Sequence, residues 1–353
     1  MDAMMDITAW SALSAFGPAE RFADAIRAGR PAPAAVEPAG PPGLRACLVP
    51  GFDQREALGR KGTKGMDRVT GLAVAAVGSL LGPRPGAGRD PDVGLVLGTT
   101  NGSVQSTMNL TRASLTGERP FDVEPADIPS TVMNCAAGQC AIWHGITGPN
   151  TTIAGGRAAG LLGLAYARRL MLAGRARTVL CGGAEECSPA RSWLEFHGGP
   201  PGAPPAVLGE GAAMLRLEPA GAPGSIATVL AVESQLSEDT DAPAAVTAVT
   251  WRALLRAGLA PARVRAVLPG SAAERDSLAV IFERDVLQRV PLVADLLGQT
   301  GAASAVFQIA AGLGALAGAP GGPVVVVTSA DPAGMTAAAV LRLAAPAPEP
   351  AVA

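Results

Sequence analysis

Two histidines, five cysteines and a few glycine-flanked carboxylates hold most of the chemistry open to this chain. The cysteines, Cys47, Cys135, Cys140, Cys181 and Cys187, are odd in number and lack the paired spacing of a metal site. His144 and His197 are the only imidazoles, so no zinc centre is expected, and no metal or cofactor is assigned. A cysteine nucleophile needs a base beside it. None is foreseeable for Cys135 or Cys140, and free cysteine is usually buried filler, so both read as packing residues. His144, next to Trp143, reads as a satisfied core or interface residue. Glu185, Glu186 and Glu210 lie in glycine-rich runs, where accepting backbone N–H bonds is the expected role rather than acid–base work. Gly98 and Gly102 surround a strand end without the lysine of a phosphate-cradling loop, so no nucleotide site is expected.

The bulk of the chain narrows the function classes further. Its 353 residues suit one large α/β domain or two packed halves, and 48% apolar residues suffice for a sizeable core. A net charge of −2 and 3% aromatics argue against a nucleic-acid partner or an anionic membrane surface. No stretch reaches the ~18–20 apolar residues of a membrane helix. The segment Met1–Trp10 carries Asp2 and Asp6 and no basic region, so no secretory signal is expected. The composition predicts a soluble, reduced, cytoplasmic protein.

Strands and helices alternate along the chain. Strands are expected at Asp6–Ala12, Val93–Gly98, Thr151–Ala154, Thr178–Cys181, Ala212–Leu217, Ile226–Val232, Val264–Leu268, Val324–Thr328 and Ala338–Leu343. Helical periodicity marks Ala19–Ala28, Gly65–Leu81, Asn101–Leu115, Met133–Ile146, Ala158–Ala173, Val246–Ala257, Ala273–Leu287 and Thr300–Leu316. Continuous apolar strands such as Val324–Val327 need helices on both faces. The order predicts two halves, residues 1–218 and 225–345, joined by the turn Pro219–Gly224 and followed by a disordered Pro/Ala tail over 346–353. Two such halves imply a duplicated five-layer α/β/α/β/α architecture.

Several of these segments resemble the β-ketoacyl synthase family of the thiolase fold. Ile7–Leu13 is similar to its first strand, and Gly138–Asn150 (GQCAIWHGITGPN) to its interface helix and GPN turn. Arg175–Glu186 (RARTVLCGGAEE) resembles the strand and Gly-Gly-Ala-Glu turn after the nucleophile helix, and Leu208–Ala213 (LGEGAA) the Gly-Glu-Gly-Ala signature. Each run alone is a weak signal, but their order and spacing together are fairly specific.

That family uses a cysteine to take the acyl group, two histidines to assist decarboxylation, and a supporting lysine. Here the stretch after the GPN turn is Ala154-Gly155-Gly156-Arg157-Ala158-Ala159-Gly160, which puts Arg157 where the cysteine belongs. Pro269 replaces the first histidine and Gln299 the second, and the lysine position falls at Ala294. Asp331-Pro332-Ala333-Gly334 stands in place of the late glycine-rich turn. A cation at a helix N-terminus is disfavoured without an acidic partner. Glu185 or Glu186 is the expected partner of Arg157.

The resemblance therefore implies a non-catalytic subunit of the chain-length-factor kind from bacterial type II polyketide or polyene biosynthesis. Its partners would be an active ketosynthase (a heterodimer) or a second copy of itself, and an acyl carrier protein bearing the growing chain. The alternative is a cavity reused for a different acyl-thioester condensation or cyclisation, and a purely structural homodimer is a third reading. The segment Ser130–Ile146 carries too much apolar surface for a solvated helix, which predicts an interface. Within it Trp143 is the expected anchor, Met133 and Cys135 are expected to face a shared tunnel, and the strand holding Thr151 and Thr152 pairs across the interface. Arg191 is expected to be exposed.

Overall fold

The computed structural model describes residues 5–36, 40–81, 90–199, 205–237 and 242–345. The tail expected over 346–353 lies outside them. Nine strands carry the fold: β1 (Met5–Ser14), β2 (Val93–Thr99), β3 (Asn150–Ala154), β4 (Thr178–Glu185), β5 (Gly211–Pro219), β6 (Ala227–Leu236), β7 (Val264–Leu268), β8 (Val324–Ala330) and β9 (Met335–Leu343). With the two-residue strand Gly17–Pro18 beside β1, they form one ten-stranded sheet in the order β7-β8-β9-β6-β1-β5-β4-β2-β3. The main helices are α1 (Ala19–Arg27), α2 (Arg68–Leu81), α3 (Val104–Thr116), α4 (Cys135–His144), α5 (Ala159–Leu172), α6 (Pro189–Gly198), α7 (Ala242–Ala257) and α8 (Ser304–Ala315).

The duplication is visible in the sheet. In the first half β1 is followed by antiparallel β5, then β4, with β2 parallel to β4. In the second half β6 is followed by antiparallel β9, then β8, with β7 parallel to β8. β3 is an extra parallel strand at the outer edge of the first half. The halves join where Met5, Asp6 and Ile7 of β1 pair with Val229, Thr228 and Ala227 of β6.

Alternation along the strands builds the layers. On β5, Ala213, Leu215 and Leu217 face the central core, whereas Ala212 and Met214 face an outer one. On β8, Val325 and Val327 face the centre, whereas Val324 and Val326 face outward. The central layer holds α5 and α8, packed so closely that a Cβ on Gly160 would lie 2.6 Å from Val306 Cγ2. α2 and α4 cover the outer face of the first half, and α7 that of the second. This gives the five layers of the thiolase-like α/β fold.

Three local readings need correction. The helix expected over Ala273–Leu287 is broken into Ala272–Ser277, a 3₁₀ turn at Leu278–Val280, and Arg284–Leu287. Glu283 is extended between the pieces, so Leu278, Phe282 and Leu287 can all enter the outer core. Gly182 and Gly183 continue β4 rather than turning. A Cβ at either would strike the neighbouring backbone (Met214 Cα at 2.8 Å, Ala302 C at 2.8 Å), so these glycines serve close approach. Helix α6 was not foreseen, although Ser188 followed by Pro189 is a helix-start pair; the Ser188 hydroxyl accepts the Arg191 N–H at 3.3 Å. Among the described residues, no helix is long and apolar enough to cross a membrane.

Candidate functional site

β3 leads through Gly155 and Gly156 into a 3₁₀ turn that opens the central helix α5, and Arg157 sits on that turn, half-buried. Gly156 has φ +52°, and the Asp331 carboxylate occupies the place a Cβ would take. Asp331 Oδ2 accepts the Arg157 backbone N–H at 2.9 Å. The charge of Arg157 also acts on Glu274, whose carboxyl is pushed above the usual range by burial. That rise is partly offset by hydrogen bonds from Thr328, Gly270 and Ala330 and by Arg157. Glu185 and Glu186 are therefore not its partners. The Glu185 carboxylate accepts the Thr100 hydroxyl and the Ala302 N–H, and Glu186 Oε1 accepts the Ser103 hydroxyl at 3.1 Å and the Gln105 N–H at 3.3 Å. Both carboxylates are thus taken up by hydroxyl and backbone N–H donors.

The remaining positions converge around the C-terminal end of β7. Pro269 is buried there, followed by Gly270 and Ser271. Glu274 gathers this end by accepting the Gly270 N–H (3.0 Å), the Ala330 N–H (3.1 Å) and the Thr328 hydroxyl (2.8 Å). Gln299 is held by its backbone, donating to Val207 O at 2.8 Å and accepting from Gly209 N and Arg191 Nη2. Gln299 lines a recess of about 590 Å³ together with Ala294, Ser271 and Cys47. Ser271 also borders a smaller cavity of about 160 Å³ lined by Glu274, Ala330 and Asp331. Arg157 and Pro269 line neither space. Ala294 and Gln299 thus share a recess that Arg157 and Pro269 do not line.

Burial pushes up the thiols of Cys47, Cys135, Cys140 and Cys181, the last to about 12, which leaves them protonated and unreactive. The His144 ring nitrogen lies 2.9 Å from Val74 O in a structural bond. Among the described residues, no group of three or more His, Cys, Asp or Glu could hold a metal ion.

The profile of the β-ketoacyl synthase N-terminal domain matches residues 50–221. The solved ishigamide ketosynthase/chain length factor is 44% identical, with a TM-score of 0.89 over 96% of this chain and 99% of that one. The chain belongs to the β-ketoacyl synthase family. More distant members share the fold: a β-ketoacyl synthase from Burkholderia phymatum has a TM-score of 0.76 at 20% identity, covering 97% of this chain and 100% of that one. The 3-oxoacyl-(acyl-carrier-protein) synthase 2 of Vibrio cholerae serotype O1 is 30% identical over 146 residues, 40% of this chain and 35% of that protein. The chain thus aligns with well under two thirds of that relative's length.

As a ketosynthase-fold chain it places the expected interface residues unevenly. Val132 (52% exposed), Met133 (47%) and Ile142 (77%) reach the surface, while Cys135 is half-buried. Thr151 and Thr152 are half-buried on β3, the edge strand, and among the described residues Thr152 Oγ1 has no hydrogen-bond partner. Trp143 is partly buried against its own chain. It follows Ala136 and Cys140 at i+7 and i+3 on the core-facing stripe of α4, and its ring lies 2.9 Å from where a Cβ of Gly62 would stand. Arg191 is buried, not exposed: its Nη1 donates to the carbonyls of Glu186 and Gly209 and its Nη2 to that of Gln299. The start of α6 was the available signal, because an arginine in the first turn of that helix can reach back to the carbonyls just past β4.

Glu186 offers a test by pH. Burial, then the charge of Asp67, raises its carboxyl from 4.5 to about 7, against the bonds from Gln105 and Ser103. The folded protein keeps a proton that the unfolded chain releases, so stability falls as pH rises from about 4.5 to about 7 and is level above that. Glu186→Gln keeps the accepting oxygen and removes the titration. It is expected to gain about 1–3 kcal/mol at pH 8 relative to its effect at pH 4.5 in urea unfolding curves. An equal effect at both pH values would refute the assignment.

Proposed function

We propose that this chain is a non-catalytic ketosynthase-like subunit of the chain-length-factor kind, pairing with an active ketosynthase in bacterial type II polyketide or polyene biosynthesis. The carrying observation is Arg157 on the turn that opens the central helix, held by Asp331 and opposite Glu274. A guanidinium cannot attack a thioester, and neither Pro269 nor Gln299 supplies the imidazole that decarboxylation needs. The 44% identity to the ishigamide ketosynthase/chain length factor supports this reading. The solved AntDE:AntF complex of a type II PKS acyl-carrier protein with its ketosynthase shares the fold with a TM-score of 0.79 at 16% identity, over 98% of this chain and 100% of that one. An acyl carrier protein bearing the chain is accordingly proposed as the second partner. Met133, Ile142 and the β3 edge with Thr151 and Thr152 would form the contact, with Cys135 toward a shared tunnel.

The test is co-expression with the intact ketosynthase encoded in the same genome. A stable one-to-one complex is expected, lost on replacing Met133 and Ile142 together with glutamate. Intact-mass measurement with carrier-bound acyl thioester should show the partner acylated and this chain unmodified. A chain that sediments alone beside its ketosynthase would sink the proposal. Reuse of the cavity for another condensation or cyclisation has one observation in its favour, the buried Glu274 carboxyl beside a 160 Å³ space. Turnover of an acyl thioester by the isolated chain, abolished by Glu274→Gln, would select that reading.

A further inference from the structure

The duplicated sheet has two equivalent recesses at the pole away from Arg157, and their charges differ. In the first half a recess of about 520 Å³ lies at the start of β2 and β4 and the end of β5. Its cations, Arg177 and Arg216, share it with Asp90, Asp92 and Glu218, and Arg216 pairs with Glu218 at 2.8 Å. The second half repeats the place, about 550 Å³, at the start of β7 and β8 and the end of β9. Among the described residues it is lined by Arg263, Arg265 and Arg342 and by no carboxylate. Among the described residues none of these three arginines forms an ion pair or a side-chain hydrogen bond.

The strand register brings the three together. Val264 on β7 and Arg342 on β9 both pair with Val324 of the strand between them. The β7 register slips between Val264 and Ala266, a bulge that turns Arg265 outward on the edge strand. The left-handed turn at Gly321 (φ +79°) and Gly322 (φ +61°) forms the rim, with Gly322 against the stem of Arg342. Protection of an edge strand accounts for Arg265. It does not account for two further guanidinium groups in one concave space, where like charges repel, in a chain whose net charge is −2.

We propose that this recess binds the phosphate groups of a phosphorylated small molecule. Guanidinium forks match phosphate oxygens in pairs, and three of them offset the charge of a diphosphate. The site lies at the opposite end of the strands from Arg157 and on the opposite sheet edge from β3, so it is independent of the proposed pairing surface.

Calorimetric titration with inorganic pyrophosphate at low ionic strength tests the proposal. Saturable one-to-one binding is expected, weakening steeply with added salt. Arg342→Gln should weaken it about tenfold, and Arg263→Gln, Arg265→Gln and Arg342→Gln combined should abolish it. Arg216→Gln in the equivalent recess should leave it unchanged. All four residues are solvent-accessible, and matching thermal melts would confirm intact folding. A parallel titration with a nucleoside diphosphate shows whether free or nucleotide-borne phosphate binds more tightly. Absence of saturation, binding unaffected by the triple substitution, or binding only of a phosphate-free polyglutamate peptide would overturn the proposal.

Discussion

Placing a cysteine at position 157 (Arg157→Cys) is expected to leave malonyl-thioester decarboxylation at least ~10⁴-fold below that of an intact ketosynthase. The helix start would favour a thiolate there, taken alone. The surroundings oppose it, because Asp331 Oδ2 is bound at the turn and Glu274 lies within reach of the vacated charge. Two carboxyl groups without their cation raise a neighbouring thiol's pKa. Neither Pro269 nor Gln299 carries an imidazole, so an acylated cysteine would still lack the groups that assist decarboxylation, and catalytic groups that act as a unit are not recovered singly. Carbon dioxide release and intact mass, measured together, separate acylation from turnover. Turnover within tenfold of an intact ketosynthase would refute the non-catalytic reading.

Glu210→Ala is expected to destabilise the fold by about 3 kcal/mol, the low end for breaking a buried ion pair. Glu210 is fully buried, and its two oxygens serve four donors. Arg68 Nε donates at 2.7 Å and Nη2 at 2.5 Å, Val49 N–H at 2.8 Å and Cys187 N–H at 3.2 Å. Arg68 is 29% exposed and regains some water when its partner is lost, which keeps the cost from the upper end. The two backbone N–H groups have no such relief. Arg216→Ala provides the contrast, since its pair with Glu218 is 40% exposed on the arginine side and its loss should cost under about 1 kcal/mol. Urea unfolding of the three proteins checks the ranking, and equal losses would show that Glu210 is not the tie described here.

These two residues mark how far local reading carries. The Gly-Glu-Gly run announced a carboxylate that accepts backbone N–H bonds, and Glu210 does so. Its ionic partner is Arg68, however, because α2 packs on the face of the sheet where Glu210 points. The helix carrying Trp143 was legible from its spacing, but not which stripe faces inward. Ala136, Cys140 and Trp143 took the core side, and Ile142 was left at the surface. Arg191 shows the same limit, since nothing near it in the chain reveals that three carbonyls from separate turns converge on its guanidinium.

The chain by itself determined the family resemblance, since its Gly-Pro-Asn, Gly-Gly-Ala-Glu and Gly-Glu-Gly runs stand in the family's order, and it motivated the proposal that the reactive groups are replaced at Arg157, Pro269 and Gln299. It also determined most strands and helices, because alternation and 3.6-residue periodicity are properties of near neighbours. Only the tertiary structure decided that Asp331 holds the Arg157 backbone N–H and that Glu185 and Glu186 are taken up by other donors. Only it showed that Gly182 and Gly183 run through the sheet, and that one polar recess is neutralised while its duplicate is not. Such pairings depend on which strands adjoin and in what register, and residues distant in sequence meet only once the whole sheet is assembled.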